Sequence, residues 1–278
     1  MTKIAMLGLG SMNGAILAGL LESGVSPDDV LATSRSADSA HRRSQQYGVR
    51  VLAEETDTAA NTTAVAEADV VMLGVKPYQI VDLCTEIKAA LRPEAVVVSV
   101  AAAVTVEMME AALHPGQPVV RSMPNTPMSV GLGVVGLTPG RHTPENQTEL
   151  VAELLGGSGT VHVVPEEQID ALSAVAGSGP AYAFYLAEHM AAAGAEMGLD
   201  PDLAARLAAE TIYGAGKMLV ENHGENDAAQ LRRNVTSPNG TTQKALETFD
   251  AAGMGQAIRA GAKAAAVRAA EITRSLDP

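Results

Sequence analysis

A hydroxyl-rich stretch late in the chain, NVTSPNGTTQKAL at residues 234–246, combines groups that bind anions with residues that form turns. It lies between two segments with helical patterns. Ser, Thr, Asn, Pro and Gly are also the residues of turns and helix N-caps, so capping alone would account for the composition. Hydroxyls and backbone N–H groups at a helix N-terminus can equally hold a carboxylate. The stretch therefore predicts either a structural cap or a binding site for an acid.

A glycine turn near the start of the chain has nearly the spacing of a dinucleotide site. Gly8 and Gly10 follow an apolar strand pattern and open a helical pattern. In the dinucleotide fingerprint the first glycine permits a tight turn, and the second lets the backbone approach the pyrophosphate at the helix N-terminus. The third glycine position holds Asn13, and Gly14 comes one residue late. The context still favours nucleotide binding over a plain strand-to-helix turn.

The second predicted strand ends in Thr33-Ser34-Arg35-Ser36, and this segment contains no acid. NAD-binding proteins usually carry Asp or Glu here to bind the ribose hydroxyls, whereas Arg among hydroxyls suits a 2′-phosphate. The segment therefore favours NADPH, with NADH as the other option. The alternative interpretation is that Arg35 is a solvated loop residue.

Two more loops follow predicted strands at the sheet edge where ligands bind. One contains Val75-Lys76-Pro77, and the other is the segment MPNTP at residues 123–127. Prolines fix the direction of the backbone, and Asn125 offers a donor and an acceptor that could read a carboxamide. Taken alone, Asn61 is interpreted as the cap of the short helix that follows it.

The sequence offers little conventional catalytic apparatus. It has no HExxH, no clustered Cys and His and no EF-hand pattern, so we expect no catalytic metal. Ser178 lacks the flanking residues of a nucleophile elbow. Hydride transfer to an already protonated C=N bond needs mainly positioning, because the electrophile carries its own charge.

Composition limits the partners. The 19 Lys+Arg against 32 Asp+Glu give a formal charge of −13, which disfavours nucleic acid and anionic membranes. The single cysteine, Cys84, cannot form an internal disulfide, and we expect a buried, inert thiol. No stretch reaches ~18 consecutive apolar residues and the N-terminus lacks a signal-peptide pattern, so we expect a cytoplasmic protein that does not span a membrane.

The elements that would position these groups fall into two halves. The first half alternates β-branched runs with helical patterns, which predicts an α/β, doubly wound sheet. After residue 165 long Ala/Leu/Met segments follow one another, with Ala and Gly on more than one face, so we expect self-association. The predicted strands are residues 4–7, 30–33, 70–73, 96–100, 119–120, 133–137 and 160–164, and the predicted helices are residues 12–22, 36–47, 78–91, 106–113, 145–155, 181–197, 201–220, 241–252 and 257–275.

Five motifs resemble those of the pyrroline-5-carboxylate reductase family, over essentially the whole chain. They are GLGSM at residues 8–12, GVKP at 74–77, RSMPNTP at 121–127, AGSGPAY at 176–182 and VTSPNGTT at 235–242. The last two are the specific ones. The resemblance implies an N-terminal Rossmann-like NADP-binding domain at residues 1–164 and an all-helical C-terminal substrate-binding and dimerisation domain at residues 165–278. It also implies a homodimer, with a decamer of dimers as the larger assembly.

The resemblance further implies hydride transfer from NADPH or NADH to the C=N bond of 1-pyrroline-5-carboxylate, giving L-proline in the last step of proline biosynthesis. Thr242 would be catalytic, with its hydroxyl on the ring nitrogen. Backbone N–H groups of Gly240 and Thr241 and the Ser237 hydroxyl would hold the substrate carboxylate, and Glu225 matches an acidic substrate-site position. Cofactor contacts would come from Gly8, Gly10, Ser11, Met12, Ser34, Arg35, Asn61, Val75, Lys76, Pro77 and Asn125.

Three residues depart from the family pattern. Asn13 stands where a small residue is usual and could alter cofactor geometry, and Ala103 and Asn239 each replace a glycine. Asn tolerates a left-handed backbone better than other non-glycine residues, so we expect the turn at Asn239 to survive. Rival functions remain: another imine reductase or a β-hydroxyacid reductase of the same layout, the latter using Lys217 as its acid, and a catalytically silent NADP sensor.

Overall fold

The computed structural model of the protein describes residues 2–276. Within them, eight strands form one sheet in the order β3-β2-β1-β4-β5-β6-β7-β8. The strands β1 to β6 are parallel, β7 runs antiparallel to β6, and β8 is parallel to β7. The bounds are β1 (Ile4–Leu7), β2 (Val30–Ser34), β3 (Arg50–Ala53), β4 (Val70–Leu73), β5 (Val96–Ser99), β6 (Val119–Met123), β7 (Gly133–Pro139) and β8 (Gly159–Val163).

Helices connect these strands and lie on both faces of the sheet. They are α1 (Ser11–Glu22), α2 (Ala37–Tyr47), α3 (Ala60–Val65), α4 (Ile80–Ile87), α5 (Val106–Ala112) and α6 (Glu145–Gly156). The short α7 (Ile169–Leu172) follows the last strand. Short 3₁₀ segments occur at Pro27–Asp29, Pro77–Gln79, Lys88–Ala90, Thr126–Val130 and Glu166–Gln168, and a π-helical turn occupies Ser173–Gly177. This is the predicted doubly wound, Rossmann-like arrangement.

Alternate residues of β1 show how the sheet divides the core. Ile4 and Met6 belong to a cluster with residues of α1 and α6, whereas Ala5 and Leu7 belong to a cluster with residues of α3, α4 and α5. Successive strand side chains point to opposite faces, so a sheet covered on both faces needs apolar residues throughout. This explains why the strands of the first half read as continuous apolar runs.

Cys84 belongs to the second of these clusters and is completely buried, as expected. Burial raises the pKa of its thiol from 9.0 to about 12, because the thiolate would lose its hydration in the apolar core.

Two features of the sheet differ from the sequence-based prediction. Strand β3 was not predicted, because it lies at the sheet edge and its residues are exposed or half-buried, without a buried apolar run. The reversed direction of β7 was not predicted either, since hydrophobic patterns carry no information on strand direction. The α/β class and the alternation of strands and helices are confirmed.

The chain divides into two compact units, one of residues 2–177 with 265–276 and the other of Ser178–Ala264. The second unit contains α8 (Gly179–Glu196), α9 (Pro201–Glu221), α10 (Ala228–Asn234), α11 (Thr241–Ala251) and the first part of α12 (Met254–Leu276). Helix α10 was not among the predicted helices.

Small residues let α8 and α9 pack closely, because a Cβ on Gly194 would lie 3.2 Å from the Cβ of Ala204. Other large apolar side chains of this unit remain uncovered: Phe184 is 68% exposed and Val220 is 77% exposed. Such surfaces on helices indicate an interface with another chain.

Candidate functional site

The glycine turn (residues 8–12) joins β1 to α1 and has the properties of an anion site. Gly8 has φ of +75°, and a Cβ there would lie 2.7 Å from Val75 Cγ1. Gly10 is the N-cap of α1 and offers no side chain to its first N–H groups, and a Cβ added to it would meet no atom within 4 Å. Ser11 and Met12 open the helix. The backbone therefore leaves open space at a helix N-terminus, which fits a pyrophosphate.

Asn13 lies beneath this turn. Its side chain is fully buried, and its Nδ2 donates to the carbonyl oxygens of Leu7 and Gly8 at 3.3 Å each and of Met72 at 3.5 Å. A Cβ on Gly74 would lie 2.2 Å from that Nδ2. The Asn13 amide thus joins the ends of β1 and β4 in space that only glycine at residue 74 leaves free.

A hydrogen-bonded chain fixes the glycine turn from its other side. Gly8 N–H donates to Thr33 Oγ1 at 3.2 Å, and the Thr33 hydroxyl donates to Asn61 Oδ1 at 2.8 Å. Asn61 Nδ2 then donates to Glu86 Oε1 at 3.1 Å. The interpretation of Asn61 as a helix cap is wrong, because Asn61 lies inside α3, whose N-cap is Ala59. Thr33 and Glu86 were missed, since nothing local in the sequence reveals this pairing.

The end of β2 presents Ser34 and Arg35 differently. Arg35 is exposed, as a phosphate ligand needs to be. Ser34 is only 3% exposed, and its buried hydroxyl has no hydrogen-bond partner in the described chain. In this conformation Ser34 can therefore contribute backbone but not its hydroxyl. The N-cap of α2 is Ser36, whose hydroxyl accepts from Ser39 N–H at 3.3 Å.

The two proline-flanked loops also follow strands of this sheet. Lys76 is exposed and precedes the 3₁₀ turn at Pro77, and Gln79 Oε1 accepts from Lys76 N–H at 3.3 Å. Asn125 is buried, with both polar atoms of its side chain engaged. Its Nδ2 donates to Ala176 O and its Oδ1 accepts from Val134 N–H, each at 2.9 Å. In this structure the Asn125 amide holds backbone together and is not free to read a carboxamide.

The substrate turn (residues 237–242) lies in the helical unit, before α11. Gly240 N–H donates to Ser237 O at 3.0 Å across Pro238 and Asn239, and Asn239 has φ of +59°. Proline followed by a left-handed residue is the pattern of a type II turn. Gln243 Oε1 accepts from Asn239 N–H at 2.7 Å and fixes the turn to the helix.

The hydroxyls of this turn are not used by the fold. Within residues 2–276 the side chains of Ser237, Thr241 and Thr242 form no hydrogen bond, whereas nearby Thr236 donates to Arg232 O at 2.6 Å. The N-cap of α11, Gly240, supplies no side-chain cap, so the first helical N–H groups lack an internal partner. The Gly240 N–H, which the resemblance assigns to the substrate carboxylate, donates to Ser237 O in this structure and closes the turn.

Glu225 lies in the same helical unit, after α9, and is exposed. The residues that line the cleft around it include His223, Asp227 and Arg233 but none of the substrate turn. Within one chain this cleft therefore does not join Glu225 to the predicted carboxylate site. Lys217, the acid of the rival hydroxyacid reductase, is on the surface of α9, with Nζ 3.6 Å from Glu221 Oε1.

Comparison with known proteins matches both halves of the chain. Residues 166–272 match the family model for pyrroline-5-carboxylate reductase dimerisation, and residues 3–103 match that for NADP oxidoreductase, coenzyme F420-dependent. The pyrroline-5-carboxylate reductase of Pseudomonas aeruginosa is 38% identical over 99% of this chain and 98% of its own. That of Corynebacterium melassecola is 38% identical over 98% of this chain and 99% of its own.

The chain belongs to the pyrroline-5-carboxylate reductase family.

Solved structures agree with this assignment. A pyrroline-5-carboxylate reductase from Coxiella burnetii has a TM-score of 0.89 and 34% identity, and covers 98% of both chains. The pyrroline carboxylate reductase of Plasmodium falciparum, solved with NADP bound, has a TM-score of 0.85 at 22% identity, again over 98% of both chains. At 22% identity the Plasmodium falciparum structure supports the assignment of the fold alone.

Two departures from the family pattern fall on left-handed backbone. Ala103 has φ of +67° and is buried, and Asn239 has φ of +59°. For L-residues other than Gly, Asn or Asp this conformation is costly, by roughly 1–2 kcal/mol. The expectation that Asn239 preserves its turn is confirmed. Ala103 occupies a conformation suited to glycine and makes the backbone there strained.

Among residues 2–276 there is no group of three or more His, Cys, Asp or Glu side chains placed to hold a metal ion. Nor does any helix in this part of the chain combine the length and the apolar character needed to cross a bilayer.

Proposed function

We propose that this chain reduces the C=N bond of 1-pyrroline-5-carboxylate with NAD(P)H, giving L-proline in the last step of proline biosynthesis. As a member of its family the chain is an NAD(P)H-dependent oxidoreductase that acts on a cyclic imine. The observation that carries the assignment of the site is the substrate turn, where three hydroxyls have no hydrogen-bond partner among residues 2–276 and the N-terminus of α11 has no side-chain cap. Polar groups left without a partner at a helix N-terminus suit an anionic ligand.

Binding of the substrate is proposed as follows. Thr241 N–H and the Ser237 hydroxyl hold the carboxylate, and the next free N–H, that of Thr242, takes the place of the Gly240 N–H, which is engaged in the turn. The Thr242 hydroxyl hydrogen-bonds the ring nitrogen and helps to keep it protonated. Glu225 supplies negative charge for the cationic ring. In this arrangement the carboxylate fixes the position of the ring, and positioning is the main requirement of the reaction.

The cofactor site is proposed at the C-terminal edge of β1, β2 and β4. The open backbone of the glycine turn fits the pyrophosphate, which Gly8, Gly10, Ser11 and Met12 would hold, and Arg35 would meet the 2′-phosphate of NADPH beside Ser34. The bound cofactor supplies the hydride. Its remaining contacts are assigned to Asn61, Val75, Lys76, Pro77 and Asn125. For Asn61 and Asn125 this proposal requires backbone contacts or a rearrangement, because their amides are engaged.

The organisation of the chain is proposed to follow the family. Residues 1–164 form the cofactor-binding domain, and residues 165–278 form the substrate-binding and dimerisation domain. Homodimer formation is supported by the match to the dimerisation model and by exposed side chains such as Phe184 and Val220. A decamer of dimers and a cytoplasmic location are further proposals, the latter supported by the disulfide-free composition.

A comparison of substrates tests the proposed function. NADPH oxidation should be measured with 1-pyrroline-5-carboxylate and, in parallel, with a β-keto acid. We expect turnover of the cyclic imine. Turnover of the β-keto acid alone would overturn the proposal in favour of a hydroxyacid reductase. Tight NADPH binding without turnover of any cyclic imine would overturn it in favour of a sensor.

A further inference from the structure

The tertiary structure places an acid beside the segment Thr33-Ser34-Arg35-Ser36, here called the ribose-reading loop, which contains no acid in its own sequence. Strands β2 and β3 are parallel neighbours with Ser34 opposite Ala53. The residues that follow Ala53 therefore lie beside those that follow Ser34. Glu54 N–H donates to Ser34 O and Glu55 N–H donates to Arg35 O, each at 3.0 Å.

The carboxylate of Glu55 is held on this loop. Its Oε2 accepts from Ala37 N–H at 3.0 Å, at the first residue of α2. The hydrogen bond places a negative charge at the helix N-terminus that follows Ser34 and Arg35, where the chain would otherwise offer a free N–H to an anion. Within residues 2–276 the Glu55 carboxylate forms no other hydrogen bond and no ion pair. Glu55 is exposed, so a ligand can reach it.

The position of this carboxylate affects the two cofactors differently. A carboxylate at this loop accepts hydrogen bonds from ribose hydroxyls, as the acid of NAD-binding proteins does. Toward a 2′-phosphate the same carboxylate is repulsive, and it occupies the Ala37 N–H that a phosphate could use. Arg35 acts in the opposite sense, because its guanidinium favours the phosphate.

We propose that Glu55 is a specificity-determining residue that lowers the preference for NADPH over NADH and so acts against Arg35. This inference rests on the proposed cofactor site. The sequence-based expectation of NADPH, with NADH as the other option, considered only the residues that end β2.

The test is the dissociation constant of each cofactor, measured from nicotinamide fluorescence in the full-length protein without substrate. Glu55→Gln keeps an oxygen that can accept from Ala37 N–H, so the loop should stay folded, which circular dichroism checks. Exposed charges interact by at most about 1 kcal/mol per pair, and a 2′-phosphate carries between one and two charges, so removing the exposed carboxylate should change the NADPH affinity by about 5- to 10-fold. We expect NADPH to bind about 5- to 10-fold more tightly to Glu55→Gln, and NADH no more tightly than before.

Two further variants make the result decisive. Glu54→Gln removes the same charge from the adjacent residue, whose side chain forms no hydrogen bond in the described chain, and should change the NADPH/NADH ratio by less than about 2-fold. Arg35→Ala should weaken NADPH more than NADH. An unchanged ratio in Glu55→Gln would overturn the proposal, and so would equal tightening in Glu54→Gln and Glu55→Gln. Because substrate is absent, failure of the reductase assay would refute the proposed function without affecting this ratio.

Discussion

Replacing Thr242 by alanine should lower kcat while leaving the fold intact. The Thr242 side chain is exposed at the second position of α11 and forms no hydrogen bond within residues 2–276. Its removal therefore leaves no buried group without a partner, and alanine has the higher helix propensity. The free energy of unfolding should remain within about 0.5 kcal/mol of the original value.

The catalytic effect is much larger. A hydrogen bond to a charged group contributes about 1.5–3 kcal/mol. Since about 1.36 kcal/mol of activation free energy corresponds to tenfold in rate, we expect turnover to fall roughly 10- to 150-fold. The measurement is steady-state NADPH oxidation with 1-pyrroline-5-carboxylate, which separates kcat from KM.

Two control variants isolate the hydroxyl. Thr242→Ser keeps it and should retain most of the activity. Thr248→Ala is a control on the same helix. The Thr248 hydroxyl donates to Lys244 O at 2.9 Å, away from the substrate turn. That variant should keep kcat within about 2-fold. Unchanged kinetics in Thr242→Ala would remove Thr242 from the mechanism and refute the proposed arrangement.

Three further changes test the frame around the sites. Gly74→Ala should lower the free energy of unfolding, measured in urea, by about 1–3 kcal/mol, because the new Cβ would lie 2.2 Å from Asn13 Nδ2. In an Asn13→Ala background the same substitution should cost less. Fully additive losses from the two substitutions would contradict the contact. Ala103→Gly should remove the strain of a left-handed backbone at φ +67° and raise the free energy of unfolding by about 0.5–1 kcal/mol. A lower melting temperature in this variant would argue against strain. Burial raises the pKa of the Cys84 thiol from 9.0 to about 12, so its contribution to the free energy of unfolding is fully present below pH 9.0 and should decline as the pH rises towards 12. Alkylation of the native thiol at pH 8 would contradict its burial.

The glycine turn and the substrate turn were predictable from the sequence because each is a local structure. The left-handed conformations of Gly8 and Asn239 depend on the residue type at those positions. Parallel strands covered on both faces require continuous apolar runs, and this requirement made the α/β class readable. Local motifs of this kind can therefore be recognised from the amino-acid sequence alone.

The partners of individual side chains were not predictable. Asn61 and Asn125 look like ligands or caps in the sequence, yet each amide is engaged by groups far along the chain. A hydrogen bond between distant residues leaves no local pattern, so the sequence could not reveal it.

The amino-acid sequence by itself determined the α/β class, the helical second half and the two turns that carry the proposed chemistry, because short-range backbone preferences and hydrophobic periodicity fix these features. The tertiary structure alone decided the neighbours of β2. Strand β3 joins the sheet edge beside it and brings Glu55 to a loop about 20 residues earlier in the chain. Pairing between strands depends on which edges meet in the folded sheet, and so the charge at the ribose-reading loop became visible only there.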